Sequence, residues 1–193
     1  MLSISNDQSV DIGDRIMAAA ASCVRDLGVR RVTLAEIARR AGVSRPTVYR
    51  RWPDTGTILS ALLTERVTGA WREVPARRPG RAGLVARIVE VAQQLREDDV
   101  IASVLRSAPE VAMVYITGRL GTSQQILIDQ VADELRTAQA DGSVRPGDVR
   151  QMSAMLLLIT QSAIQSGPMV APILDAHALA GELSHALNGY LAP

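Results

Sequence analysis

Apolar residues recur along this chain at three- and four-residue steps, and nowhere do they alternate with polar ones over a useful length. That rhythm predicts amphipathic helices and no sheet. Ile12, Ile16, Ala20, Cys23 and Leu27 form one stripe, so a first helix is expected from about Asp11, after a loose polar arm over residues 1–10. Gly28 supplies its C-terminal stop. Leu34, Ile37, Ala38 and Ala41 make the inner face of a second helix, with Thr33 at its start and Glu36 at capping-box spacing. Gly42 marks the turn, because a positive φ there strains other residues. Ser44 caps a third helix and Pro46 sits in its first turn, where a missing N–H does no harm. Val48 and Trp52 face inward on it; Arg45, Thr47, Arg50 and Arg51 face outward.

The pattern continues with a long helix over residues 55–73, carrying Ile58, Leu62 and Val67 on one side. The stretch 75–83 reads as a linker by composition. Helical spacing returns at Leu84, Ile88, Val91, Ala92 and Leu95. Two short helices are expected over residues 99–119, broken near Pro109 and Gly118, then a long one over 122–140 that stops at Asp141 and Gly142. Residues 146–166 are apolar on nearly every face, and Pro168 and Pro172 mark a loop. Residues 174–191 carry Leu179, Leu183, Leu187 and Tyr190 in one stripe. The expected fold is all-α, about nine helices in all, with a head over residues 11–70 and a larger helical body over 81–193.

Charge changes this picture at one place. The chain of 193 residues has a formal net charge of only +1, so it is not generally basic. Residues 25–51 nevertheless hold eight arginines (Arg25, Arg30, Arg31, Arg39, Arg40, Arg45, Arg50 and Arg51) against Asp26 and Glu36. Such a local surplus points to an anionic partner at one face; a solvated arginine-rich surface is the competing reading. Every basic residue is arginine, which bears on genome composition rather than mechanism. The single Cys23 excludes an internal disulfide and sits among apolar neighbours. The first ten residues lack the pattern of a signal peptide, and the run at 155–159 is too short to span a bilayer. The expectation is a cytoplasmic protein with no membrane partner.

Helix, short break, arginine-rich helix over residues 33–52 is a helix-turn-helix, a device for laying one helix in the major groove of double-stranded DNA. Arginine suits that task because its planar fork pairs with guanine edges and with phosphates. Arg45, at the start of the third helix, is best placed to reach bases, and Thr47 offers a hydroxyl and a methyl. Tyr49, Arg50 and Arg51 lie nearer its end, where phosphate contact is expected. Thr33 begins a helix whose N-terminal amides can bind a phosphate. Thr33 as a cap alone, Tyr49 as packing and Pro46 as purely structural are the alternatives.

Residues 11–70 resemble the DNA-binding domain of the TetR family of bacterial repressors. The resemblance rests on Thr33-Leu34, Ile37-Ala38, Ala41-Gly42-Val43-Ser44, Pro46-Thr47-Val48-Tyr49, Trp52-Pro53 and Ile58-Leu59. It implies a three-helix head, a fourth linking helix, and a helical body that dimerises and holds a small-molecule pocket. It also implies DNA contacts at Thr33, Arg45, Pro46, Thr47, Tyr49 and Arg51. The chain departs from the family at Arg51, where histidine is usual, and at Thr55, where lysine is usual; Thr55 is therefore a doubtful phosphate anchor.

The expectation that follows is a sequence-specific transcriptional regulator, a repressor that binds a palindromic operator as a homodimer and is released by an apolar or weakly polar effector. Met152, Leu156, Ile159, Ala163, Leu179, Leu183 and Leu187 are the candidate dimer interface, with internal core as the alternative. Trp71, Leu95, Val104, Leu105, Met113, Tyr115, Leu120 and Leu127 are the candidate pocket residues. No Ser/His/Asp set, metal-ligand cluster or glycine-rich phosphate loop stands out, so neither an enzyme nor a cofactor or metal site is expected. His177 and His185 have no companions at ligand spacing. The alternative function is a helical interaction or ligand-binding module that has lost DNA binding.

Overall fold

The computed structural model describes residues 4–107 and 120–193, with side chains from Ile12 onward in the first stretch. Its elements are α1 (Ile4–Leu27), a 3-10 turn (Val29–Arg31), α2 (Leu34–Ala41), α3 (Arg45–Arg51), α4 (Thr55–Glu73), α5 (Gly80–Glu97), α6 (Asp99–Ser107), α7 (Thr122–Ala140), α8 (Val149–Val170) and α9 (Ala176–Leu191). No strand occurs among the described residues. The expected breaks at Pro109 and Gly118, and the pocket candidates Met113 and Tyr115, lie outside them.

Four expectations are corrected. The helix expected from Asp11 begins at Ile4, so residues 4–10 are helical rather than a loose arm. No proline interrupts that stretch, and extending a nucleated helix fixes only one further residue per bond. The linker over 75–83 ends early, because α5 starts at Gly80. Gly80 takes φ 71°. Gly83 is needed because a Cβ there would overlap the Arg78 carbonyl oxygen. Pro168 does not lie in a loop but inside α8. It stands in the last turn, where it removes one hydrogen bond without ending the helix. The last helix starts at Ala176, two residues later than expected, with the Asp175 carboxylate accepting from the Ala178 amide at 2.8 Å.

The helices gather into two compact units, and these do not follow a single cut in the sequence. The head holds α1, α2, α3, α4 as far as Glu65, and α6. The body holds α4 from Arg66, α5, α7, α8 and α9. The expected domains, residues 11–70 and 81–193, would have placed α6 in the body. It belongs with the head because Val100 and Val104 complete the apolar cluster around Ile16, Ala20, Val24, Ile37 and Val48. Two polar contacts reinforce the attachment: Ser103 Oγ donates to the Val24 carbonyl at 3.1 Å, and Arg30 Nε donates to the Ser107 carbonyl at 3.1 Å. Each large aliphatic residue withdrawn from water in this cluster contributes about 1.5–3 kcal/mol.

In the body, α5 and α8 both run antiparallel to α7. Arg87 of α5 pairs with Glu134 of α7, and the Arg81 amide donates to Ser143 Oγ at 2.9 Å. Gln124 of α7 meets Gln161 of α8 at 2.9 Å, and Gln139 of α7 meets Met152 of α8. Gly167 lets α8 pass close to Arg96 and Leu179, whose side-chain atoms would stand 3.2 and 3.1 Å from a Cβ there. Arg145 locks the C-terminal end of α9: its Nε donates to the Tyr190 carbonyl at 2.9 Å and its guanidinium stacks 4.7 Å over the Tyr190 ring.

Gly83 offers a direct test of this packing. The Gly83→Ala variant should lose about 2 kcal/mol or more, because the clashing atom is backbone and cannot swing aside. Urea unfolding of the variant measures it; an unchanged midpoint would contradict the close approach of Arg78.

Candidate nucleic-acid interface

The segment from Thr33 to Trp52 folds as its sequence dictates. Thr33 Oγ1 accepts from the Glu36 amide at 3.1 Å and so starts α2. Gly42 ends it in the left-handed region at φ 64° and ψ 37°. Ser44 Oγ accepts from the Thr47 amide at 3.3 Å and shares a 2.7 Å hydrogen bond with Thr47 Oγ1. Pro46 occupies the first turn of α3. Leu34, Ile37, Ala38, Ala41 and Val48 are buried against α1 and α4, which fixes the inner faces.

One side chain outside the motif holds its turn. Arg15, on α1, donates from Nη2 to the Ala41 carbonyl at 2.6 Å and reaches the Gly42 carbonyl at 3.4 Å. These are carbonyls at the C-terminal end of α2, where a cation is favoured by the helix dipole. Sequence spacing could not reveal this, because the partners are 26 and 27 residues apart.

The arginines divide into two groups. Arg39 and Arg40 both donate to Glu36, at 2.7–2.9 Å, and Arg40 also pairs with Asp26 and donates to Ser22 Oγ at 2.8 Å. Glu36 therefore faces the two guanidiniums, and no bond from the Thr33 amide completes the reciprocal half of the expected capping box. Two charge-assisted partners outweigh one backbone N–H. Hydrogen bonds from Arg39 and then Arg40 bring the Glu36 pKa down to about 2. The Arg40 hydrogen bond, ahead of that from Ser22, likewise holds Asp26 below its ordinary value.

On α3 the situation differs. Arg45, Arg50 and Arg51 are exposed, and Tyr49 is 50% exposed. Arg45 and Arg50 make no ion pair among the described residues. Arg51 lies over α1 at Gly13, where its Nη1 would be 2.7 Å from any Cβ. Arg25, Arg30 and Arg31 are exposed as well, so the exposed arginines of the sequence's basic stretch include those of α3 without being confined to it; Pro46 and Thr47 lie within α3, and Thr33 caps α2.

Thr55 fits less well. The Asp54 carboxylate already accepts the Thr57 amide at 2.7 Å and the Thr57 hydroxyl at 2.9 Å. Those bonds, the amide first, lower the Asp54 pKa. A carboxylate at the start of α4 repels a phosphate, which argues against the expected anchor at Thr55. Cys23 is buried in the head core and burial raises its pKa, which is the setting of an inert thiol.

The other candidate sets are placed differently from expectation. Among the interface candidates, Met152, Leu156, Leu179, Leu183 and Leu187 are buried within the single chain, Leu183 being 6% exposed, and Ile159 and Ala163 are half-buried. The first five are core, so they are withdrawn as a contact surface: their stripe is covered by neighbouring helices of the same body. The exposed side of α8 carries Met155 and Leu158 instead, followed by Met169 and, just past the helix, Ile173. Among the pocket candidates, Trp71, Leu95 and Leu127 belong to the body, with Trp71 and Leu95 buried. Val104 is head core, Leu105 also belongs to the head, and Leu120 is half exposed.

Residues 16–62 match the family model described as bacterial regulatory proteins, tetR family. An HTH-type transcriptional regulator of Mycobacterium bovis is 61% identical over 191 residues, covering 99% of this chain and all of that protein. Among solved structures, a TetR-family transcriptional regulator from Rhodococcus sp. aligns with a TM-score of 0.70 at 18% identity, covering 95% of this chain and 100% of that one. The regulator FadR from Bacillus subtilis, solved with stearoyl-CoA, aligns at 0.65 and 19% identity, over 92% and 98%.

The Glu36 cluster makes the head sensitive to acid. Glu36 titrates at about 2 when folded against an ordinary 4.5. A depressed pKa stabilises the fold fully above the ordinary value, and the contribution disappears as pH falls from there through about 2. The melting temperature of the wild type should exceed that of Glu36→Gln at neutral pH, and the gap should close towards pH 2.5. A gap that stays constant would show that the Glu36 carboxylate charge is not what stabilises α2.

Proposed function

Because this chain belongs to the TetR family of bacterial transcriptional regulators, we propose that it represses transcription as a homodimer, with α3 of each head in the major groove of one half of a palindromic operator. It is a helix-turn-helix regulator and not an enzyme. No helix among the described residues is long and apolar enough to cross a membrane. The observation that supports DNA reading by α3 is the partition of arginines: Arg39 and Arg40 are neutralised by Glu36 and Asp26, whereas Arg45 and Arg50 stand exposed on α3. In this reading Arg45 and Thr47 meet base edges, and Tyr49, Arg50, Arg51 and the Thr33 hydroxyl meet phosphates.

The dimer contact proposed here is the outer face of α8. Seven large apolar residues are exposed among the described ones, and four of them, Met155, Leu158, Met169 and Ile173, lie on or just after this helix. Met155, Leu158, Ser162 and Met169 follow steps of three, four and seven residues, which places them on one face, as in bundle seams. Two half-sites bound together add their base and phosphate contacts, which a single head lacks. An effector held in the body acts by preferring the dimer that fits the operator poorly. Occupation of a relative's structure by stearoyl-CoA supports an effector with substantial apolar surface.

Footprinting upstream of the protein's own coding region, followed by gel shift, tests the reading. Arg45→Ala should reduce discrimination at one base pair by about 1–3 kcal/mol while leaving non-specific affinity nearly intact. Equal loss on every sequence would remove Arg45 from base reading. Wild-type binding should fall steeply with salt, in line with released counterions.

The interface has its own test. Leu158→Glu should give folded monomers by light scattering, since Leu158 is 60% exposed within one chain. A dimer that persists would place the contact elsewhere. Leu183→Glu should instead unfold the body, because it buries a charge.

A further inference from the structure

Gly42 stands between α2 and α3 at φ 64° and ψ 37°. With no Cβ, it is the residue of the turn whose two torsions are least restrained by its own side chain. Backbone hydrogen bonds hold part of the turn. The Gly42 amide donates to the Arg39 carbonyl at 3.3 Å, and the Val43 amide donates to the Ala38 carbonyl at 3.1 Å. That is the pattern of a helix closed by a left-handed glycine. Both bonds use N–H groups and earlier carbonyls, so they do not engage the Ala41 and Gly42 carbonyls at the exit of the turn.

Arg15 of α1 engages both. Its Nη2 donates to the Ala41 carbonyl at 2.6 Å and to the Gly42 carbonyl at 3.4 Å. These oxygens belong to the two rigid peptide planes on either side of the Gly42 Cα. The plane before that atom turns with the φ of Gly42, and the plane after it turns with ψ. One nitrogen tied to both oxygens therefore restrains both torsions. The base of the Arg15 side chain is itself fixed, because Ile16 and Ala20 of the same helix are fully buried.

Rotation at Gly42 passes into α3 through Val43 and Ser44 alone. Val48 is the one α3 residue buried in the head core. A single buried pivot fixes the place of a helix better than its tilt. The seven residues of α3 span about 10 Å, so a tilt of about 10° moves one end by roughly 2 Å relative to the other. Phosphate attraction tolerates such a shift, whereas hydrogen bonds to base edges do not.

We propose that Arg15 is a positioning residue for base reading: without touching DNA, it holds the tilt at which α3 enters the major groove. The proposal rests on the reading of α3 as the helix that meets bases, and adds a residue outside the helix-turn-helix on which that meeting depends.

Arg15→Met keeps the aliphatic stem and removes the donors. Full-length protein is titrated at several salt concentrations against two duplexes, one carrying the footprinted upstream sequence and one with the same bases scrambled. Arg15→Met should bind the first about tenfold more weakly. On the scrambled duplex it should stay within about twofold of the wild type, with the same salt slope. Arg15→Lys retains a charged donor without the fork and should recover about threefold of the loss. Amide exchange followed by NMR without DNA should be about tenfold faster at Gly42 and Val43 in Arg15→Met, and unchanged at Val24 and Ile37. Undiminished preference for the footprinted sequence, or unchanged exchange at the turn, would overturn the proposal. So would equal loss on both duplexes with a slope reduced by about 0.9, the mark of a lost phosphate contact. Faster exchange throughout the head would do the same, since it marks a fold weakened as a whole. A wild type that does not distinguish the duplexes refutes base reading by α3 itself, and exchange at the turn still decides whether Arg15 holds it.

Discussion

The direction in which α3 leaves α2 depends on a side chain that belongs to neither helix. Gly42 adopts a left-handed conformation and exposes the last carbonyls of α2. Arg15 covers the Ala41 and Gly42 carbonyls from α1, close enough that a Cβ on Gly42 would stand 3.0 Å from its Nη2. Arg15 is itself held in place because its neighbour Ile16 is fully buried in the head core. Core packing thus sets the position of a cap, the cap sets a turn, and the turn aims the outer face of α3. A looser turn would leave the same residues present and their arrangement undefined, and base contacts need positions accurate to a fraction of an ångström.

The same economy of charge runs through the head. An arginine beside a carboxylate is nearly neutral at any distance beyond a Debye length of about 10 Å at 0.1 M salt. Glu36 consumes Arg39 and Arg40 in this way within α2, and Asp26 of α1 pairs with Arg40 and so ties α2 to α1. Arg45 and Arg50 of α3 have no such carboxylate partner among the described residues. Arg51 illustrates how little space the arrangement leaves: its guanidinium occupies the place that a side chain at residue 13 would take. A side chain at residue 13 would need this flexible, exposed guanidinium to move aside.

Much of this was legible in the residues and some of it could not be. Gly28, Gly42, Ser44 and Pro46 announce local conformations through their own chemistry, and the structure has each where its chemistry requires. Periodicity located the helices because an apolar stripe must be covered. It does not say by what. The stripe of α6 is covered by the head, although α6 follows a body helix in the chain. Capping-box spacing points Glu36 at the Thr33 amide, but Arg39 and Arg40, one turn further along the same helix, offer it charged partners; the pairing of Arg40 with Asp26, by contrast, depends on how α1 and α2 pack. Thr55 looked like a helix start open to a phosphate, and its neighbour Asp54 had already taken that position.

Helix α8 shows the limit of pattern reading most clearly. A helix that is apolar all round must be covered on more than one side. Its composition alone cannot say which face meets the same chain. Met152 and Leu156 are enclosed by the body, whereas Met155 and Leu158 are not. Choosing the wrong face is a matter of two residues, since Leu156 and Leu158 are about 200° apart around the axis.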